Sequence, residues 1–267
     1  MEESELQAQI SAATAYEDFF VPAVFGQWAE QVVNAAEVQS GDHVLDVACG
    51  TGVLARRAAT RVVPAGSAAG IDLNPGMIEV AKRLAPDIEW RQGAAERLPY
   101  PDESFDAVMS QFGLMFFTDR IESLREMLRV LIAGGRLALA VFNSLDKQPA
   151  YALEVDLLER TAGQNAADAL RAPFVLGDRG ELEMLFKNAF AGAIEIITHD
   201  GVAHFPSVRS MVEADLRGWL PVMGVILAEE QITDILEEAE HVLQNYVDHS
   251  GRVKFNLSAH IVAAKKC

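Results

Sequence analysis

The run Val44-Leu45-Asp46-Val47-Ala48-Cys49-Gly50-Thr51-Gly52 constrains this chain more than any other segment. It reads as a short buried strand that enters a glycine turn, and the apolar spacing from Val53 to Val63 continues it as a helix. Glycine at such a turn lets a ligand approach the backbone, and the helix start offers free N–H groups to it. The same strand-then-helix unit repeats downstream. Strands are predicted near 68–73, 88–92, 105–111 and 136–142, with helices near 75–84 and 119–131 between them. Gly134 and Gly135 punctuate the last helix-to-strand passage. This alternation is the mark of a doubly wound α/β sheet.

On either side of that core the pattern changes. Residues 1–40 form a helical arm, in which Phe20, Val21, Val24, Phe25, Trp28, Val32 and Val33 recur at helical spacing. After Asn143 a helix is expected over 149–162, a sixth strand near 193–199 and a seventh near 254–264. The helical stretch of about 205–252 between those two strands reads as an inserted cap that shapes a pocket. The expected organisation is therefore one α/β domain over 1–267: arm, a ligand-binding core at 41–143, and cap.

Composition narrows the partners. With 39 acidic against 22 basic residues the formal charge is -17, so the mean field repels phosphate backbones and anionic lipid. Nucleic acid is excluded as the expected partner. Cys49 and Cys267 are the two cysteines, too few for a disulfide framework or a zinc set, and no metal site is expected. That usage suits a reducing cytoplasm. The acidic start and the shortness of the apolar runs predict neither a signal peptide nor a membrane span. A homodimer is compatible with the pattern.

The residues after the turn point to a nucleoside-containing ligand. Asp72 lies twenty positions beyond Gly52 at the end of the second strand, where a carboxylate accepts hydrogen bonds from ribose hydroxyls. The glycines by themselves fit a nicotinamide dinucleotide as well as S-adenosylmethionine. Asp46 separates the two on electrostatic grounds, because its charge at the turn suits an ammonium group and repels a pyrophosphate.

Four ordered blocks carry a resemblance: Val44 to Gly52, Gly70-Ile71-Asp72-Leu73-Asn74-Pro75-Gly76-Met77, Leu98-Pro99-Tyr100-Pro101-Asp102-Glu103-Ser104-Phe105-Asp106, and Leu131-Ile132-Ala133-Gly134-Gly135-Arg136. From Val44 to about Phe142 the chain resembles the class I S-adenosylmethionine-dependent methyltransferases, particularly the family of the ubiquinone and menaquinone methyltransferases. The resemblance implies a Rossmann-like, doubly wound, seven-stranded mixed sheet whose last strand is antiparallel, with the helical cap between the sixth and seventh strands. It implies S-adenosylmethionine as cofactor and methyl transfer to a small-molecule acceptor. Asp46, Ala48, Gly50 and Gly52 would line the methionyl part, Asp72 would hold the ribose, and Leu73 and Met77 would flank the adenine. Gly93-Ala94-Ala95-Glu96 would edge the ring, and Gln111 and Phe112 would lie near the sulfonium.

Two positions depart from the family pattern. Ala94 stands where an aspartate often accepts from the adenine amino group, and an alanine side chain cannot accept. Ala48 replaces a frequent glycine. In the arm, Tyr16 is the candidate to close over the cofactor, among aromatics that otherwise read as packing. If a hydroxyl is methylated, His204, expected just after the sixth strand, is the candidate general base. Transfer to an already reactive nucleophile needs mainly alignment and exclusion of water, and no base. Two rival readings remain at this level: a non-catalytic module that binds the cofactor, and a nicotinamide-dependent oxidoreductase.

Overall fold

A computed structural model describes residues 2–189 and 192–267. Its centre is a seven-stranded sheet in the order β3-β2-β1-β4-β5-β7-β6. The strands are β1 (His43–Val47), β2 (Ser67–Asp72), β3 (Glu89–Gln92), β4 (Phe105–Gln111), β5 (Leu131–Phe142), β6 (Ile194–Phe205) and β7 (Val253–Lys265). β1 to β5 pair in parallel, and β7 enters antiparallel between β5 and β6. The antiparallel seventh strand is therefore as expected. β5 begins earlier than the periodicity suggests, because its register against β4 shifts between Phe105 and Ala107 and the extra residues, with Gly134 at φ +74°, are absorbed in a bulge.

The helices are α1 (Glu2–Ala15), α2 (Ala29–Ala35), α3 (Val53–Val62), α4 (Pro75–Leu84), α5 (Arg120–Val130), α6 (Pro149–Thr161), α7 (Gln164–Arg171), α8 (Arg179–Ala189), α9 (Val208–Ala214), α10 (Leu220–Val222) and α11 (Glu229–Val242). Local chemistry starts two of those flanking the sheet. Asn74 caps α4 by accepting from the backbone N–H groups of Gly76 and Met77, with Pro75 in the first turn, and Asp119 caps α5 by accepting from Glu122 N–H. No helix among the described residues is long and apolar enough to cross a membrane.

The helices of 205–252 pack with helices that come before β6. α6 and α7, which precede β6, pack against α11, α10 and the π-helical turn Asp215–Trp219 that continues α9. α8, from the same connection, instead packs on α5 and β6. Periodicity shows that a segment is helical, not what it covers, so the share of 149–174 in the cap was invisible in sequence.

The arm is built into the fold. Between α1 and α2 the chain runs through a π-helix at Tyr16–Phe25, with Pro22 inside it, and a 3₁₀ turn at Gly26–Trp28. Pro22 has no N–H to donate, so a regular α ladder would be interrupted there in any case. Trp28 is fully buried, and a Cβ on Gly201 of β6 would lie 2.6 Å from its ring. Beside it the Gln27 amide donates to Val202 C=O at 2.9 Å and accepts from Val202 N–H at 2.8 Å. β6 is an edge strand, and Gln27 satisfies its open side as a neighbouring strand would. Replacing Trp28 by Ala should therefore cost about 3–5 kcal/mol of stability in urea unfolding. A loss below about 1 kcal/mol would show that the arm is a peripheral attachment.

Candidate active site at the carboxyl edge of the sheet

The turn after β1 winds through three left-handed residues, Ala48 at φ +58°, Gly50 at +54° and Gly52 at +89°. Ala48 adopts this conformation despite its Cβ, at a cost on the order of 1 kcal/mol. The fold is held by Asp72, whose Oδ2 accepts from Gly50 N–H at 2.8 Å while Oδ1 accepts from Asn74 N–H at 2.9 Å. Burial raises the Asp72 carboxyl above its ordinary range, and these backbone donors oppose the shift. Asp72 thus braces the turn, and its remaining lone pairs stay available to hydroxyl donors.

Gly50 and Gly52 differ in their surroundings. A Cβ at Gly52 would lie 2.3 Å from the Trp90 ring, and one at Gly70 would lie equally close. Trp90 fills the space between α3 and α4 with Cys49, Ala55, Ile78 and Ala81. Gly52 is therefore small because a tryptophan packs on it, a reason sequence reading did not find. Gly50 faces open ground, with Tyr16 Cε1 at 3.9 Å as its nearest neighbour.

Asp46 is 1% exposed. Its Oδ2 accepts from Ala55 N–H at 3.0 Å in the first turn of α3, and its Oδ1 is buried with no partner. Burial pushes its carboxyl well above the ordinary range, opposed by the Ala55 bond and reinforced by Asp72. Two more unpartnered buried atoms lie at the end of β4, next to β1: Ser110 Oγ and Gln111 Oε1. Gln111 Nε2 donates to Phe25 C=O at 3.1 Å and so ties the arm to the sheet. Phe112, the next residue, is buried at φ +57° and stacks on Phe142 with centroids 4.0 Å apart. A bulky residue in that region carries strain of about 1–3 kcal/mol, of the kind that collects at ligand sites.

The arm lies over this edge. Tyr16 is half-buried and stacks on Phe25 at 5.3 Å. Burial first, then Asp72, Glu17 and Asp46, raise its phenol, so it stays a neutral donor. Glu17, which sequence reading missed, accepts from the buried Thr51 hydroxyl at 2.5 Å and pairs with Arg56 at 2.6 Å. This clamps the arm onto the glycine turn. An acidic residue beside an aromatic helical stripe is the signal that could have found it.

Leu73 is 68% exposed beside the turn. Met77 is half-buried against Leu6, Ile10, Ala13 and Val80, so it packs under α1. Ala94 is half-buried and Ala95 buried, in the turn after β3. Glu96 Oε1 accepts from Thr118 N–H at 2.8 Å and from Asp119 N–H at 3.3 Å, which ties it to the loop before α5. The block 98–106 is braced by Arg129, which donates to the carbonyls of Leu98 and Tyr100 and to Asp102 and Glu126. His204 corrects an expectation: it lies within β6, opposite Lys254, with an exposed side chain, while Ala203 and Phe205 face inward. Strand β6 runs to Phe205, beyond its expected end, and its alternation turns His204 outward.

Residues 45–139 match the family described as "Methyltransferase domain". Over 142 residues the chain is 37% identical to the ubiquinone/menaquinone biosynthesis C-methyltransferase UbiE of Hahella chejuensis, covering 50% of this chain and 57% of that protein. The chain thus spans little more than half the length of that relative. Among solved structures, YcgJ of Bacillus subtilis is 21% identical with a TM-score of 0.59, covering 90% of this chain and 98% of YcgJ. Phosphoethanolamine N-methyltransferase 2 of Haemonchus contortus, in complex with phosphomonomethylethanolamine and S-adenosylhomocysteine, is 17% identical with a TM-score of 0.58 over 96% of this chain and 57% of that one. The fold is that of the class I methyltransferases.

The two turn glycines are expected to respond differently to alanine. Gly52→Ala should unfold the turn or lower stability by about 3 kcal/mol or more, with partial rescue by Trp90→Leu. Gly50→Ala should cost only about 1–2 kcal/mol. Equal losses in chemical denaturation would disprove the distinction.

Proposed function

We propose that this protein transfers a methyl group from S-adenosylmethionine to a small, largely apolar acceptor. The observation that carries the reading is the set of buried, unpartnered atoms at one edge, Asp46 Oδ1, Ser110 Oγ and Gln111 Oε1, beside the open face of Gly50. A buried polar atom without a partner is costly, and a ligand bearing an ammonium group and hydroxyls would relieve these. The cofactor supplies an electrophilic methyl on a sulfonium. Asp46 takes the ammonium group, Asp72 the ribose hydroxyls, and Gly50 with Ala48 the backbone approach. Leu73, Ala94 and Ala95 border the adenine, with Ala94 contributing backbone only. Tyr16 closes the arm over the methionyl part, and Gln111 and Phe112 border the reacting centre.

The chain's own contribution is alignment and exclusion of water. Phe25, Phe112, Phe142 and Phe174 form a continuous series of rings beside Gln111, a surface that would suit an apolar ring as acceptor. His204 faces solvent and is withdrawn as base, which favours an acceptor nucleophilic by itself, such as an activated ring carbon or an ionised oxygen. The name of the Hahella relative supports carbon. The charge of -17 argues against nucleic acid as acceptor, and the sparse cysteines fit a cytoplasmic setting.

Isothermal titration against S-adenosylmethionine, S-adenosylhomocysteine and NADH tests this directly. The first two should bind and NADH should give no heat; the reverse would make the turn a dinucleotide site. Binding of the first two without turnover on quinones, phenols or carboxylates would leave a non-catalytic binding module. A pH effect follows from Asp46. Burial raises its carboxyl well above the ordinary range and an arriving ammonium group would lower it again, so binding should release protons, and affinity should rise with pH over the range in which the free carboxyl titrates. Titrations in buffers of different ionisation enthalpy measure that proton. Asp46→Asn should abolish the release and weaken binding by about 1.5–3 kcal/mol. Unchanged binding in that variant would remove Asp46 from the site.

A further inference from the structure

Strand β6 carries one edge of the sheet, and only part of that edge is closed. Its register with β7 is continuous from Ile194 to Phe205. In an antiparallel ladder the N–H and C=O of one residue point to the same side, and the side alternates from residue to residue. Both main-chain groups of Val202 are held by Gln27, so the even-numbered residues of β6 turn theirs away from β7. The far side of β7 agrees. Ser258 donates to Gln148 and accepts from Asn143 on the side of β5, which leaves the odd-numbered residues of β7 to pair with the odd-numbered residues of β6. Ile194, Ile196, Thr198 and Asp200 therefore turn their N–H and C=O groups outward. Among the described residues none of these groups has a hydrogen-bond partner. The open window is bounded at one end by Gln27 on Val202 and at the other by the start of the strand at Ile194.

The window is built for pairing. It reads Ile-Glu-Ile-Ile-Thr-His-Asp, rich in β-branched residues and free of the proline, lysine or bulge that keeps an edge strand apart from others. Ile197, at its midpoint, is 46% exposed. The window is also self-complementary. A second copy laid antiparallel about a two-fold axis at Ile197 sets Ile194 opposite Asp200 of the other copy and Ile196 opposite its Thr198, so every open N–H and C=O finds a partner. Glu195 then lies opposite His199 of the other copy, a carboxylate against an imidazole N–H, and Ile197 lies against itself. No like charges meet. Shifting the axis one residue toward Val202 sets Ile194 against that residue, which Gln27 already holds; shifting it the other way sets Asp200 against residue 192, before the strand begins.

We propose that the open edge of β6 joins a second copy of this chain about a two-fold axis at Ile197, so that two seven-stranded sheets become one. The seam lies at the opposite end of the strand order from β3. The glycine turn after β1 stays clear of it, and the dimer stands whether or not that turn serves methyl transfer.

Sedimentation equilibrium of the full chain in about 0.3 M salt, which screens the repulsion between two copies of charge -17, reads the stoichiometry. The wild type at about 100 μM should sediment at twice the chain mass. Ile197→Lys sets two like charges at the axis and should raise the dissociation constant at least about tenfold with unchanged far-UV circular dichroism. Oxidative cross-linking in a Cys267→Ser background, where the remaining Cys49 is buried, reads the register. Ile197→Cys should cross-link, because residues facing each other at such an axis have Cα atoms about 4.5 Å apart, within disulfide reach. Glu195→Cys should do so at least about tenfold more slowly, since its counterpart lies about 14 Å along the other strand. If Ile197→Lys does not fold, the cross-linking pair decides. A monomeric wild type overturns the proposal. So does a dimer that Ile197→Lys leaves intact, or one that cross-links as readily through Glu195→Cys as through Ile197→Cys.

Discussion

The hydrogen bond from Gly50 N–H to Asp72 joins the two strands on which the site depends. It spans the end of β1 and the end of β2, and it stabilises a turn that passes through three left-handed residues. Once the turn is set, α3 begins where Asp46 accepts from Ala55, and Thr51 is presented to Glu17 of the arm. Trp90 then packs against the only side chain small enough at Gly52 and again at Gly70. Turn, first helix and arm are thus positioned by a few short-range bonds and one aromatic ring. The burial that weakens Asp72 as an acid is offset by those same backbone donors.

Around this edge the protein holds more uncompensated polarity than a structural role explains. Buried acceptors are normally satisfied, and those at Asp46, Ser110 and Gln111 are not. Phe112 adds backbone strain at the same place. A fold that gains its stability from a large apolar core can carry such costs locally.

Much of the framework was legible because it is local. The strand-turn-helix unit at 44–63, the acid at Asp72 and the sequence of parallel strands follow from hydrophobic period and turn chemistry, which need no knowledge of distant contacts. Helix and strand ends were legible to within a few residues except where pairing overrode propensity, as in the bulge of β5 and the long β6 that carries His204 to the outer face. The bracing of the turn around Asp46, Gly50 and Asp72 was legible as turn chemistry. The packing of Trp90 on Gly52 and the bonds of Glu96 to the loop before α5 were not.

The sequence by itself determined the fold class, the glycine turn and the chemistry of the residues beside it, since each follows from neighbours within a few positions in the chain. Only the tertiary structure decided that α6 and α7 share the cap with residues after β6, and that Glu17 and Gln111 fasten the arm. These are pairings between residues far apart in the chain, and residue type alone does not reveal which distant partner a buried carboxyl or amide will find until the core has closed around both.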